Sequence, residues 1–244
     1  MDKGSRENGN KESGRKENGH NEKGYKNSTA TPLVINPPAA QKIETWFGAL
    51  QNRHNDTHNG RAERAALRRA AAPYGALTCQ GFMRLSNMLA EVIGDKQHRL
   101  LGVAIFAAVA AHADKSDDKK SFAAQLGEPV SAGNDRRYLS ELRFERLLRA
   151  QTPEELCRLL IRAVTIRGDA GVNLPSLADG ILLWMDEWHA RQHNLPAQHN
   201  PLKRNAVRWA CEYNQITQEP APDEAPSSPQ DANGNHPTDN KEPA

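Results

Sequence analysis

The sequence lacks most of the features that carry catalysis, secretion or membrane insertion. Its three cysteines, Cys79, Cys157 and Cys211, stand far apart with no CxxC pair. That spacing argues against a disulfide framework or a zinc site and suits small apolar roles in a reducing compartment. The longest apolar run, Leu100 to Ala111, has 12 residues, too few to cross a bilayer. The first 30 residues hold no apolar segment, so no secretory signal is read there, and a cytoplasmic protein without membrane association is expected. Alternation at period two is missing, and no Asn-Gly turn sits between apolar runs, which argues against a β-rich fold. Phosphate-cradling GxxxxGK[ST] and GxGxxG loops are absent, as is an RNP-type aromatic motif. His189 and His193 lie one helical turn apart beside Asp186 and Glu187, but the acids precede the first histidine and no third ligand stands at a fixed spacing. Neither a metal centre nor a Ser/His/Asp grouping is read, so the expectation is a non-enzymatic chain without a cofactor.

Both ends are also short of apolar side chains. Residues 1–40 carry seven Lys or Arg against five acids, and residues 217–244 carry six acids against one Lys among Pro, Asn and Ser. Neither segment can bury enough apolar surface to offset its backbone entropy, so both are expected to be disordered tails. Between them lies enough chain to form a proper core. It is read as two helical lobes, 41–130 and 131–216, divided near the loop GEPVSAGND.

What is present is helical. Ile43, Trp46, Phe47 and Leu50 follow the i, i+3, i+4, i+7 pattern of one buried face. RAERAALRRAA, from Arg61 to Ala71, is made of good helix formers, and Pro73 ends it. Further helices are expected at Gln80 to Ile93, at the apolar and central Leu100 to Ala111, and at Phe122 to Leu126, which Gly127 stops. Tyr138 to Ala150 follows. Thr152-Pro153-Glu154-Glu155 is then a clear start signal: an N-cap, a proline where its missing N–H costs nothing, and a capping-box glutamate. Pro175 opens a helix bearing Leu177, Ile181, Trp184 and Trp188, and a last one runs from about Pro201 to Asn214. The fold class is all-α.

Charge is distributed unevenly. The net charge is +2, but the core holds 24 basic against 19 acidic residues, and 18 of the 24 are Arg. Arg grips phosphate with a planar fork and stacks on bases, whereas Lys is a hydrated point charge. A GC-biased genome gives the same composition, so composition permits nucleic-acid binding without establishing it. Position says more. On a helix, Arg143, Arg146 and Arg149 share a sector of roughly 120°, flanking Phe144, Leu147 and Leu148. Arg158 and Arg162 repeat the design one turn apart, opposite Leu156, Leu159, Leu160 and Ala163. Arg136 and Arg137 precede this block. Other basic sets are Arg61, Arg64, Arg68 and Arg69; Lys203, Arg204 and Arg208; and Lys119 with Lys120. Such surfaces can follow a phosphate backbone without reading bases. The ordinary alternative is a solvated face, since Glu154 lies four residues before Arg158. A further alternative is a docking adaptor whose arginines pair with an acidic protein.

With the arginine helices located, the sequence resembles the CasB family, the small subunit of the type I-E CRISPR Cascade surveillance complex. The pieces stand in order: IETWFGAL, RAERAALRRA before a proline, GFMRLSNML, HRLLGVAIFAAVAAH, DDKKSFAAQLG, YLSELRFERLLRAQTPEELCRLLIRAV and LADGILLWMDEW. The block at 143–162 is the most specific, and the resemblance covers about Lys42 to Tyr213. It implies a non-catalytic, two-lobed helical protein acting in antiviral defence and paired head-to-tail with a second copy. The implied partners are the backbone subunits that hold the guide RNA (crRNA), the large subunit, and the target and displaced non-target DNA strands of the R-loop. The family's basic positions fall here on Arg68, Arg69, Lys96, Lys119, Lys120, Arg143, Arg149, Arg158 and Arg162. Near the start of the apolar helix this chain offers only Lys96 and Arg99.

Overall fold

The computed structural model describes residues 32–52, 59–131, 133 and 135–215. The acidic tail at 217–244 and residues 1–31 of the N-terminal tail lie outside the described residues. The fold is all-α: among the described residues the only β features are two isolated bridges, Ser116 with Val172 and Pro129 with Arg137.

Local chemistry sets the helix starts. Helix α1 (Pro37–Gln51) begins behind Asn36, whose side chain accepts from the Ala39 N–H at 2.9 Å. The N-terminal tail boundary expected at residue 40 therefore moves back. Pro37 and Pro38 are compatible with a first helical turn, and Asn36 caps it. Asn59 caps α2 (Gly60–Arg69) in the same way. A 3₁₀ turn, Tyr74–Thr78, leads to α3 (Gln80–Met88) and α4 (Ala90–Ile93). One helix was expected across Gln80 to Ile93. The chain bends at Leu89 (φ −100°, ψ 16°), and apolar periodicity does not register the bend because Leu85, Leu89 and Ile93 stay buried across it.

Helix α5 (Gln97–Ala110) is buried on every side from Gly102 onward. It packs on α3 and the 3₁₀ turn on one flank. On the other it packs on α8 (Pro153–Arg167) and α9 (Leu174–Gln192). Each large side chain removed from water here, such as Ile105 or Phe106, contributes about 1.5–3 kcal/mol. The expected lobe boundary at 130/131 falls in the loop after α6 (Phe122–Leu126). Buried residues from both sides of it form one continuous cluster.

Helix α7 (Glu141–Leu148) starts three residues later than expected. The Tyr138 N–H donates to the Glu128 carbonyl at 3.0 Å and the Leu139 N–H to the Leu126 carbonyl at 3.1 Å, so these residues are held against the segment after α6. The last stretch divides into a 3₁₀ turn, Pro201–Lys203, and α10 (Asn205–Tyr213), which packs on α6, α7 and α9. At the start of α8 the cap forms as expected: the Glu155 N–H donates to Thr152 Oγ1 at 3.2 Å. The Glu155 carboxylate reaches back to the Gln151 N–H at 3.2 Å, one residue before the cap.

Candidate nucleic-acid interface

Helices α7 and α8 follow one another across residues 149–152 and pack together through apolar faces. Phe144 and Leu147 bury the face of α7, and Leu156, Leu159, Leu160, Ala163 and Val164 bury that of α8. Phe144 stacks face to face on Tyr213 of α10, with ring centroids 3.9 Å apart and planes 9° from parallel. This fixes the rotation of α7 and turns its arginines outward.

Arg143, Arg146, Arg149, Arg158 and Arg162 are all exposed. Three of them, Arg143, Arg146 and Arg162, come together along one groove of about 460 Å³. Its floor is Leu139, Leu147, Leu159, Ile161 and Ile166, with Thr165 at the side. No acid lines it, and none of the three arginines has an ion-pair partner among the described residues. Arg149 sits outside the groove and pairs with Glu145 at 3.3 Å. Arg158 also lies outside it. A second cleft, of about 400 Å³, continues from Arg143 past Leu142 to Arg136 and Arg137. Arg137 donates to Asn214 Oδ1 at 3.2 Å, lies 3.8 Å from Glu141 and covers the Tyr213 ring at 4.6 Å.

The other expected sets divide by burial. Arg68 and Arg69 are exposed in the last turn of α2, whereas Arg64 turns inward. Its Nε donates to the Ala111 carbonyl at 2.8 Å and its Nη2 to the Ala113 carbonyl at 2.5 Å, satisfying the C-cap carbonyl of α5 and one in the turn beyond it. Helical spacing put Arg61, Arg64 and Arg68 on one face, but Arg64 alone is drawn in by these carbonyls while Arg61 and Arg68 stay exposed. Burial, followed by the Arg68 and Arg64 charges, holds His112 below the ordinary imidazole value. Lys96 is exposed, while Arg99 makes a two-pronged bridge to Asp186 at 2.9 and 2.6 Å. Lys119 is exposed, and Lys120 lies 3.1 Å from Glu128. Lys203 and Arg204 are exposed, and Arg204 Nε donates to the Gln198 carbonyl at 3.1 Å. Arg208 is buried against Asp179.

Sequence reasoning missed two polar centres. Arg167, counted only as charge, is buried and donates to the Gly171 and Gln125 carbonyls and to Glu128. Asp179 accepts three successive backbone N–H groups, from Leu33, Val34 and Ile35, at 2.9, 2.6 and 2.9 Å. A carboxylate inside the otherwise apolar run LADGILLWM was the available signal. The larger cavity, about 540 Å³, lies beside this centre. Glu44, Asp118, Asp179 and Glu212 among its walls make it a poor phosphate site. Burial outweighs the Ser116 hydrogen bond and raises the Glu44 carboxyl, and burial likewise raises Glu212.

The histidine pair is not arranged as a metal centre. His189 stacks between His98 and His193, with centroids 4.1 Å apart on each side. Asp186 is taken by Arg99 and His98, and Glu187 accepts from the Asn205 N–H at 2.7 Å. Among the described residues no group of three or more His, Cys, Asp or Glu could hold a metal ion. The described cysteines are free, and burial pushes the Cys157 thiol up to about 12. None of the described helices is long and apolar enough to cross a membrane.

The family model for CRISPR-associated protein Cse2 matches residues 63–213, from α2 to the end of α10. No curated protein matches the chain. Among solved structures, CasB from Thermus thermophilus is similar at 23% identity over 72% of this chain and 97% of that one, with a TM-score of 0.46.

Proposed function

The chain belongs to the CRISPR-associated Cse2 family, a small-subunit family of the CRISPR Cascade complex, and from that premise we propose that it binds nucleic-acid backbone through α7 and α8. In this reading it is a non-catalytic subunit that stabilises the R-loop by gripping the target and displaced strands without reading their sequence. It works beside the subunits that hold the guide RNA and a second copy of itself. The observation that carries the reading is the groove of Arg143, Arg146 and Arg162, three exposed guanidinium groups with no acid paired to them among the described residues. Exchanging one duplex for another of similar stability is nearly balanced, so a few backbone contacts suffice to tip it. Arg158, Arg149, Arg68, Arg69, Lys96, Lys119, Lys203 and Arg204 add exposed positive charge around the molecule. Arg64, Arg99 and Arg208 act inside the fold.

The test is fluorescence anisotropy of labelled single-stranded DNA with the full chain over a salt series, beside the triple variant Arg143→Glu/Arg146→Glu/Arg162→Glu. Binding that weakens steeply with salt and is lost in the variant supports the reading. Undiminished binding by the variant removes this groove from it. A second reading, a protein-docking surface, is favoured by Leu142, 79% exposed, and Ile166, 39% exposed, beside the arginines. Absence of DNA binding by the wild type at low salt would favour that one.

A further inference from the structure

The arginines drawn into the fold find acids within it: Arg64 with Asp114, Arg99 with Asp186, Arg167 with Glu128 and Arg208 with Asp179. The groove between α7 and α8 is different. It gathers three exposed guanidinium groups, none ion-paired among the described residues, beside apolar side chains, and the sequence that follows Gln215 is complementary to it in charge.

Residues 216–244 hold six carboxylates (Glu219, Asp223, Glu224, Asp231, Asp239 and Glu242) against one Lys, and six prolines. The path from the end of α10 leads to the groove. Tyr213 stacks on Phe144 of α7, and its hydroxyl donates to the carbonyl of Leu139, a residue of the groove floor, at 2.7 Å. Asn214 accepts from Arg137, in the cleft that continues to Arg143. From Gln215 to Glu219 the chain can span roughly 13 Å, and to Asp223 roughly 26 Å. Arg143 to Arg146 covers only about 4.5 Å of helix axis. With Tyr213 already bonded to Leu139 of the groove, that span is long enough for the first acids after α10 to extend along its arginine row. Prolines reduce the conformational entropy lost when such a segment is held. The basic N-terminal tail is no competitor for this site. Its charge is of the wrong sign, and the described residues that follow it, Leu33–Ile35, are held by Asp179 beside the acidic cavity instead.

We propose that the acidic segment after α10, led by Glu219, Asp223 and Glu224, occupies the Arg143–Arg146–Arg162 groove and must be displaced by any polyanion that binds there. Tethering gives these carboxylates an effective concentration on the order of millimolar. They act as an internal competitor that suppresses loose binding to stray nucleic acid and yields to a backbone presented at high local concentration in an assembled complex. The competition half of the proposal rests on the nucleic-acid reading above; the contact half does not.

Two measurements on the full chain separate these halves. In the first, Arg162→Lys is treated with a zero-length carbodiimide coupler, with Arg158→Lys as a control outside the groove. Peptide mass spectrometry should find intramolecular links from position 162 to Glu219, Asp223 or Glu224, suppressed by high salt and sparse from position 158. In the second, all six tail acids are changed to their amides and affinity for single-stranded DNA is compared with wild type at low salt. About a tenfold tightening is expected. No links and no change in affinity would overturn the proposal. So would tightening without links, which would reduce the tail to long-range repulsion. Links found only between isotopically distinguished chains would also overturn it, since the occupant would be a second copy. Links with no DNA binding by either protein would uphold the contact and sink the nucleic-acid reading of the groove.

Discussion

Arg208 on α10 and Asp179 on α9 meet in the interior with Nη1 2.5 Å from Oδ2, and the other carboxylate oxygen of Asp179 collects the N–H groups of Leu33, Val34 and Ile35. One buried acid thus joins the segment leading into α1, helix α9 and helix α10. Glu212, 3.6 Å from Arg208 Nε, completes the centre. Removing the acid leaves a guanidinium buried without its main partner and three backbone donors without an acceptor. Asp179→Ala is expected to destabilise the fold by about 3–5 kcal/mol. Adding Arg208→Met should recover part of that loss, because the orphaned charge goes too. Urea denaturation of the single and double variants measures both, and a cost below about 1 kcal/mol for Asp179→Ala would contradict this account.

Two glycines on helices make opposite predictions. A Cβ at Gly180 would lie 2.4 Å from Cζ2 of the buried Trp209, so Gly180→Ala forces α9 and α10 apart. A loss of about 1–3 kcal/mol is expected from overpacking. A Cβ at Gly48 meets nothing within 4 Å on the exposed side of α1. Gly48→Ala should stabilise by about 0.5–1 kcal/mol through helix propensity alone. Thermal melts of the pair, run side by side, check the sign of each.

The helices were legible because their signals are local. Thr152-Pro153 and the i, i+3, i+4 pattern of α1 depend on residues within a turn or two of one another. The groove was half legible: periodicity put Arg143, Arg146 and Arg162 on outward faces, but only the packing of α7 on α8 shows that Arg149 and Arg158 fall outside it. Helical spacing failed at Arg64, Arg99 and Arg208. Each looks like a surface arginine on its own helix, and its partner lies between 29 and 87 residues away. Spacing along one helix records nothing of a carbonyl or carboxylate supplied by another.

The contrast between Arg64 and Arg68 is therefore testable as stability against surface charge. Arg64→Met removes the donors that satisfy the Ala111 and Ala113 carbonyls. A destabilisation of about 1–3 kcal/mol is expected for the groups left unpaired. Arg68, exposed one turn further on, should change stability by no more than about 0.5 kcal/mol when replaced by Met. Equal effects would mean that Arg64 does not act as a cap for α5.

The response to acid should have two limbs. For Glu44, Glu187 and Glu212, burial dominates and raises the carboxyls above their ordinary value, so the folded state takes up protons before the unfolded one. Stability then rises as pH falls through the raised folded values toward the unfolded glutamate value of about 4.3. At Asp186, burial works in the same direction, but the hydrogen bonds from Arg99 and His98 outweigh it and the carboxyl is lowered. Its contribution is complete above its unfolded value, near pH 4, and is lost as pH falls through the folded value. Asp186→Asn should flatten the low-pH limb, and Glu212→Gln should flatten the other. Denaturant midpoints at pH 3, 4, 5 and 7 record both slopes. A monotonic fall from pH 7 in the wild type would count against the assignment.

Groove and core arginines should also separate in how binding responds to salt. Each phosphate neutralised on single-stranded DNA contributes roughly −0.7 to the slope of log K against log salt. Replacing Arg143, Arg146 or Arg162 singly by Gln removes one such contact and should make the slope shallower by about that amount. These side chains are exposed and have no ion-pair partner among the described residues, so the urea midpoint should stay where it is. Arg64→Gln should do the reverse, lowering the midpoint while leaving the slope of the protein that remains folded unchanged. If the three groove variants keep the wild-type slope, the phosphates run elsewhere. The exposed Arg68, Arg69, Lys96 and Lys119 then become the candidates, and α7 and α8 are left with a protein partner for their arginines.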